Sequence, residues 1–195
     1  LDLRILGLVG SHRKNGNSYL ILREAFKRCN VEAEMVQLAE ASIEWCNACG
    51  LCKDTMKCVI DDDVDGILDK IVKADAVLFS VPRYLPVPSK FMALIERIGA
   101  LYHYRLEKDP DFDLPLKGKP FGVVVVSAGG GRQALEALKE IAFQIIHCWH
   151  MKPVMTDTYP YLGVLAKGEE IGDVLEDQKE IKQVEELIKK LFSKG

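Results

Sequence analysis

Apolar β-branched runs alternate with amphipathic stretches along the whole of this chain, and that alternation limits the folds open to it more than any other feature. The clearest run is Pro120-Phe-Gly-Val-Val-Val-Val126, which suits a strand buried on both faces. Similar runs occupy 3–9 and 75–81, a further strand is expected over 152–158, and residues 32–38 (Glu-Ala-Glu-Met-Val-Gln-Leu) alternate like an edge strand. Between them lie helical patterns. Leu20, Ile21, Ala25 and Phe26 mark a helix over 18–29. Asp61-Asp-Asp63 supplies an acidic start for a helix whose buried face carries Val64, Ile67, Leu68, Ile71 and Val72. Further helices are expected over 89–100, 132–149 and 175–193, with a long excursion over 101–119.

Strands separated by helices imply right-handed βαβ units and a mainly parallel sheet. Five strands in 195 residues fit an α/β, flavodoxin-like three-layer fold with sheet order 2-1-3-4-5. The length suits one domain over 1–195, with a cysteine-rich loop at 44–60. Ligands of such sheets bind beyond the carboxyl ends of the strands, at the switch point between strands 1 and 3. The loops after strands 1 to 4 are therefore expected at one rim.

Composition narrows the partners. Apolar residues make up 48% and charged residues 28%, and 26 basic against 29 acidic residues give a net charge of −3. That balance, without a basic stripe, argues against nucleic acid. No apolar stretch reaches the roughly 18–20 residues that span a bilayer. The start, Leu1-Asp-Leu-Arg-Ile-Leu, reads as a strand and carries no secretory pattern. The expected compartment is the cytoplasm, where six cysteines are unsuited to a disulfide framework.

Four of those six cysteines crowd into thirteen residues as Cys46-x2-Cys49-x2-Cys52-x5-Cys58. Two-residue gaps let thiolates converge on one centre. An iron–sulfur cluster, a zinc ion and a redox dithiol at Cys46/Cys49 or Cys49/Cys52 all remain open for the array. Cys29 and Cys148 read as buried thiols. His147 and His150 read as core or helix-dipole partners, and Tyr102, His103 and Tyr104 as a lid, a subunit contact or plain surface.

Three loops carry ligand-binding character. Gly10-Ser-His-Arg-Lys-Asn-Gly-Asn-Ser18 runs into a helix and suits a phosphate. It lacks the Walker A spacing, and no G-x-G-x-x-G stands there. Pro82-Arg-Tyr-Leu-Pro-Val-Pro88 is a rigid loop that offers Tyr84 and Leu85 to a planar ligand. Ser127-Ala-Gly-Gly-Gly-Arg132 lets a ligand approach the backbone. Together they describe a pocket for flavin mononucleotide (FMN).

The combination of Gly-Ser-x-Arg-x-x-Gly-Asn-Ser, the four-cysteine array, Asp61-Asp-Asp63, Pro-x-Tyr after strand 3 and the glycine loop after strand 4 resembles the iron–sulfur flavoproteins. These belong to the NAD(P)H-dependent FMN reductase superfamily. The resemblance implies FMN and a [4Fe–4S] cluster, a homodimer or homotetramer, and electron transfer with a one-electron carrier such as ferredoxin, or with NAD(P)H. It implies that Ser11, Arg13, Asn17 and Ser18 hold the phosphate. Pro82, Arg83, Tyr84 and Leu85 would line the flavin ring, with Ser127, Ala128, Gly129 and Gly130 opposite. Cys46, Cys49, Cys52 and Cys58 would ligate the cluster. The flavin carries the chemistry, so no catalytic side chain is implied. The alternatives are a cluster-free NAD(P)H-dependent FMN or quinone reductase, and a non-enzymatic zinc-stabilised binding module.

Overall fold

A computed structural model describes residues 3–84 and 87–193. Strands β1 (Ile5–Val9), β2 (Glu34–Gln37), β3 (Ala76–Pro82) and β4 (Pro120–Ser127) form a sheet in the order β2-β1-β3-β4. Every pairing in it is parallel. β1 and β3 are buried along their whole length, as strands covered on both faces must be, while β2 is partly exposed at one edge.

The expected order 2-1-3-4-5 holds, but two short strands share the fifth position. β5 (Lys152–Pro153) pairs with Pro120 and Phe121, and β6 (Val164–Lys167) pairs with Val124 to Ser127. The strand expected over 152–158 therefore stops early. Pro153 has no N–H for the ladder, and after one more bond, Val154 N–H to Phe121 O at 2.8 Å, the chain turns outward. Thr156 N–H donates to Tyr161 O at 2.6 Å and closes the detour. Gly163 brings the chain back so tightly that a Cβ there would stand 2.3 Å from Val123 O. Only glycine permits this return to the sheet.

Helices cover both faces. α1 (Asn17–Arg28) and α6 (Gln178–Phe192) pack on Ile5, Val9, Leu78, Val124 and Val126. α3 (Val64–Lys73), α4 (Ser89–Lys108) and α5 (Gly131–Trp149) pack on Leu6, Leu8, Val77, Phe79 and Val123. The two-residue period of the strands divides the core in this way. A four-residue helix, α2 (Cys52–Thr55), forms inside the cysteine loop.

Two helix boundaries differ from expectation. α4 continues past residue 100 because no glycine or proline interrupts 101–109 and both Leu101 and Tyr102 are buried. Only 109–119 remains irregular, beginning just before Pro110 and held by Arg105 stacked over Phe112 at 4.3 Å. α6 starts at Gln178, where the Asp177 carboxylate accepts the N–H groups of Lys179 and Glu180 at 2.9 and 3.1 Å. Among the described residues, no helix is long and apolar enough to cross a membrane.

Candidate functional site

The loop leaving β1 is tied down residue by residue. Gly10 N–H donates to Ser80 O at 2.9 Å, and Ser11, itself buried, accepts Arg13 N–H on its Oγ at 3.0 Å. Asn15 N–H donates to Gln37 Oε1 at 2.9 Å, and Lys14 pairs with Glu40, so the loop is anchored to the end of β2. The chain enters α1 through Gly16, and no side chain caps the helix. The first N–H groups of α1 are thus left for an anion. Ser18, in the first turn, is buried.

Two more loops close on this point. Arg83 N–H donates to Val126 O at 2.7 Å beyond β3. After β4, Gly130 N–H donates to Ser127 Oγ at 3.0 Å. Ser11, Arg13, Asn17, Ser18, Pro82, Arg83, Tyr84, Ser127 and Ala128 line one cavity of about 170 Å³. Two arginines and one acid, Glu169, face it, which leaves it favourable to an anion. Gly129 and Gly130 lie in the next turn, where an added Cβ at either meets nothing within 4 Å. Leu85 lies outside the described residues.

Gly168 and Glu169, which also line the cavity, escaped the sequence reading because β6 was not recognised. The Asn17 side chain holds them there: its Nδ2 donates to Glu170 O at 2.7 Å and its Oδ1 accepts Gly172 N–H at 2.8 Å. With both ends of the amide engaged, what Asn17 offers a phosphate is its backbone N–H. His12 stands beside the cavity mouth, 3.4 Å from Ser89 Oγ, with its ring 6.2 Å from that of Tyr84.

The cysteine loop departs from the rim. Its base is closed by a buried ion pair, with Arg97 and Asp62 side chains only 1% and 2% exposed. Arg97 Nη1 donates to Asp62 Oδ2 at 2.8 Å and to Glu44 O at 2.9 Å, while Nη2 donates to Asp62 Oδ1 at 3.1 Å. Asp62 also accepts the N–H groups of Glu44 and Val64 at 2.9 and 3.1 Å. From there the loop runs along α4, where Tyr104 Oη donates to Ala48 O at 3.5 Å and Lys108 pairs with Asp54. Tyr104 is fifteen residues beyond Ser89, or about 22 Å along the helix. The middle of the loop therefore lies well down α4, away from the three loops at the rim, while its two ends are held at Arg97.

All four array cysteines are free thiols, Cys52 buried, Cys46 and Cys58 half-buried and Cys49 exposed. Burial pushes the Cys52 thiol up. Among the described residues, no three His, Cys, Asp or Glu side chains are drawn together as a single metal ion requires. A tetrahedral ion with metal–sulfur bonds of about 2.3 Å would need its thiolates about 3.8 Å apart. A multi-iron cluster is itself bulky and takes its thiolates from a wider ring. Four soft donors carried by one thirteen-residue stretch fit such a group in chemistry and number.

The remaining sequence signals lie elsewhere. His147 and His150 are exposed, and Cys29 and Cys148 are half-buried. Cys46, His103, His147, Cys148 and His150 line a groove of about 850 Å³ between α4 and α5. Tyr102 is in the core, so only His103 and Tyr104 of that trio reach the surface.

Known proteins resemble this chain in sequence and fold. The profile of a family described as NADPH-dependent FMN reductase matches residues 3–159. The chain is 30% identical to an iron–sulfur flavoprotein of Methanocaldococcus jannaschii, over 96% of this chain and 100% of that one. It is 31% identical to an iron–sulfur flavoprotein of Methanosarcina thermophila, over 96% and 98%. Among solved structures, the Trp repressor binding protein of Bacillus subtilis superposes with a TM-score of 0.65 at 19% identity, covering 95% of this chain and 97% of that one, a likeness of fold. The chain belongs to the NADPH-dependent FMN reductase family and, within it, to the iron–sulfur flavoproteins, and is a flavin-dependent oxidoreductase.

Proposed function

We propose that the protein passes electrons between FMN held at the rim and a [4Fe–4S] cluster held by Cys46, Cys49, Cys52 and Cys58. The observation that carries this reading is the gathering of residues from three loops around one cavity at the uncapped start of α1. Ser11, Arg13, Ser18 and the backbone of Asn17 would hold the phosphate. Pro82, Arg83 and Tyr84 would face one side of the flavin ring, and Ser127, Ala128, Gly129 and Gly130 the other. When bound, FMN supplies exchange between hydride and single electrons, and the cluster supplies single-electron transfer. The outside partner is then NAD(P)H or a one-electron carrier such as ferredoxin.

The course of the cysteine loop down α4, away from the rim cavity, supports a homodimer or homotetramer in which the array serves a neighbouring subunit's flavin. Its opening toward the α4–α5 groove, which Cys46 lines, supports the same arrangement. A monomer with undiminished flavin-to-cluster transfer would contradict it.

The deciding measurement is FMN, iron and acid-labile sulfide per chain on protein purified without air. One FMN with about four iron and four sulfide atoms is expected. FMN alone, with no cluster formed on reconstitution, would return the protein to a cluster-free FMN or quinone reductase. Zinc without flavin would make it a binding module.

A further inference from the structure

The ion pair at the base of the cysteine loop is unevenly satisfied. Asp62 accepts four hydrogen bonds, two from Arg97 and one each from Glu44 and Val64. That fills the roughly four lone-pair sites of a carboxylate. Arg97 has five N–H groups and places only three, on Glu44 O and the two Asp62 oxygens. Its Nε is buried without a partner. A buried donor left unpaired is costly, and the more so on a charged group.

We propose that Arg97 is a positioning residue for the array, closing the loop at Glu44 and Asp62 and placing a buried positive charge at the base of the array that raises the reduction potential of the cluster. The inference rests on the cluster reading above. The two clamped residues bracket the array, Glu44 two positions before Cys46 and Asp62 four after Cys58. The clamp thus fixes where the loop begins and ends. Burial lowers the proton affinity of Arg97, but hydrogen bonding and charge from Asp62 outweigh it, so the guanidinium stays charged at the base of the loop. Reduction adds one negative charge to a cluster ligated by four thiolates. A buried cation bonded to Glu44, two positions before Cys46, favours the reduced form, and solvent screens it little.

The test uses the full-length protein, loaded and handled without air, as wild type, Arg97→Met, Arg97→Lys and Asp62→Asn. Iron and sulfide content tests the cluster, and a redox titration followed by electron paramagnetic resonance tests Arg97. In R97M the reduction equilibrium constant should fall about tenfold or more, a drop of about 59 mV for one electron. D62N, which removes a negative charge from the same clamp, should move the potential upward. A general loosening of the loop would move both variants the same way. If R97M does not fold, R97K carries the test, since it keeps the charge but loses the fork that holds Glu44 and Asp62 together, and about a threefold fall is expected. A loaded wild type whose potential is unchanged in R97M and R97K, or which falls alike in R97M and D62N, overturns this inference alone. A wild type that takes up no iron or sulfide overturns it together with the cluster reading.

Discussion

Asn17 and Gly172 stand 155 positions apart in sequence, yet the Asn17 Oδ1 accepts the Gly172 N–H at 2.8 Å while its Nδ2 donates to Glu170 O at 2.7 Å. The first residue of α1 thereby fixes the loop that follows β6. That loop carries Gly168 and Glu169 into the cavity wall. One amide thus couples the phosphate end of the rim to the last strand of the sheet, and the cavity is complete only when both ends of the chain are folded.

Asn17→Ala should remove both hydrogen bonds while leaving the helix start unobstructed. Each is worth about 1 kcal/mol net, so a loss of about 2 kcal/mol is expected in urea unfolding. FMN affinity should fall as well, by roughly tenfold, if about 1.4 kcal/mol of that ordering supports the ligand. Quenching of flavin fluorescence on titration measures it. A variant with lowered stability and wild-type FMN affinity would show that the 168–172 loop takes no part in binding.

On the α3–α5 face, the Phe79 ring meets Phe91, Phe121 and Trp149 edge-on at centroid distances of 6.1, 6.0 and 5.8 Å. Trp149 Nε1 also donates to Ile95 O at 3.2 Å, joining α5 to α4. Trp149→Ala should cost about 3–5 kcal/mol through the cavity it leaves, read as a lower urea midpoint. Trp149→Phe keeps most of the volume but leaves Ile95 O without that donor, and it should cost well under half as much.

The sheet order and the three rim loops were legible in the sequence because both follow from local pattern. Apolar β-branched runs set the strands, and topology sends their following loops to one edge. Other features depend on distant partners. Glu169 joins the cavity through β6, a four-residue strand too short to stand out by periodicity. Asp62 read as part of an acidic helix start, and it does accept the Val64 N–H, but its main partner is Arg97, 35 positions away. No spacing rule connects those two residues. The rim rule also failed for the cysteine loop, which is long enough to leave the strand end and lie along α4.

Asp62 makes the base of that loop sensitive to acid. Burial acts to raise its carboxyl, but the Arg97 guanidinium and the N–H groups of Glu44 and Val64 outweigh burial and hold it below the ordinary value. The folded form therefore binds a proton less readily than the unfolded one. The stability Asp62 contributes is present above the ordinary aspartate value of about 3.9 and is lost as pH falls through its lower folded value. Hydrogen exchange at the Glu44 and Val64 amides should speed up over that acid range beyond the trend of the other core amides. In Asp62→Asn the exchange should be fast at neutral pH already and lack the acid step. Equal pH profiles in the two proteins would contradict the assignment.

The glycine turn after β4 separates backbone strain from ligand contact. Gly130 sits at φ +56° and ψ −150°, a region that side chains avoid, whereas Gly129 is not among the left-handed residues. A Cβ at either position meets nothing within 4 Å. Gly130→Ala should therefore destabilise the protein without FMN by about 1–3 kcal/mol from conformation alone. Gly129→Ala should leave that stability within about 0.5 kcal/mol of wild type. If the turn lies against the flavin ring, the added methyl at 129 takes space that the ring needs, so G129A should lose FMN affinity while keeping its urea midpoint. Paired titrations with FMN and urea on the two variants read both effects. Undiminished FMN binding in G129A would place the ring away from this turn.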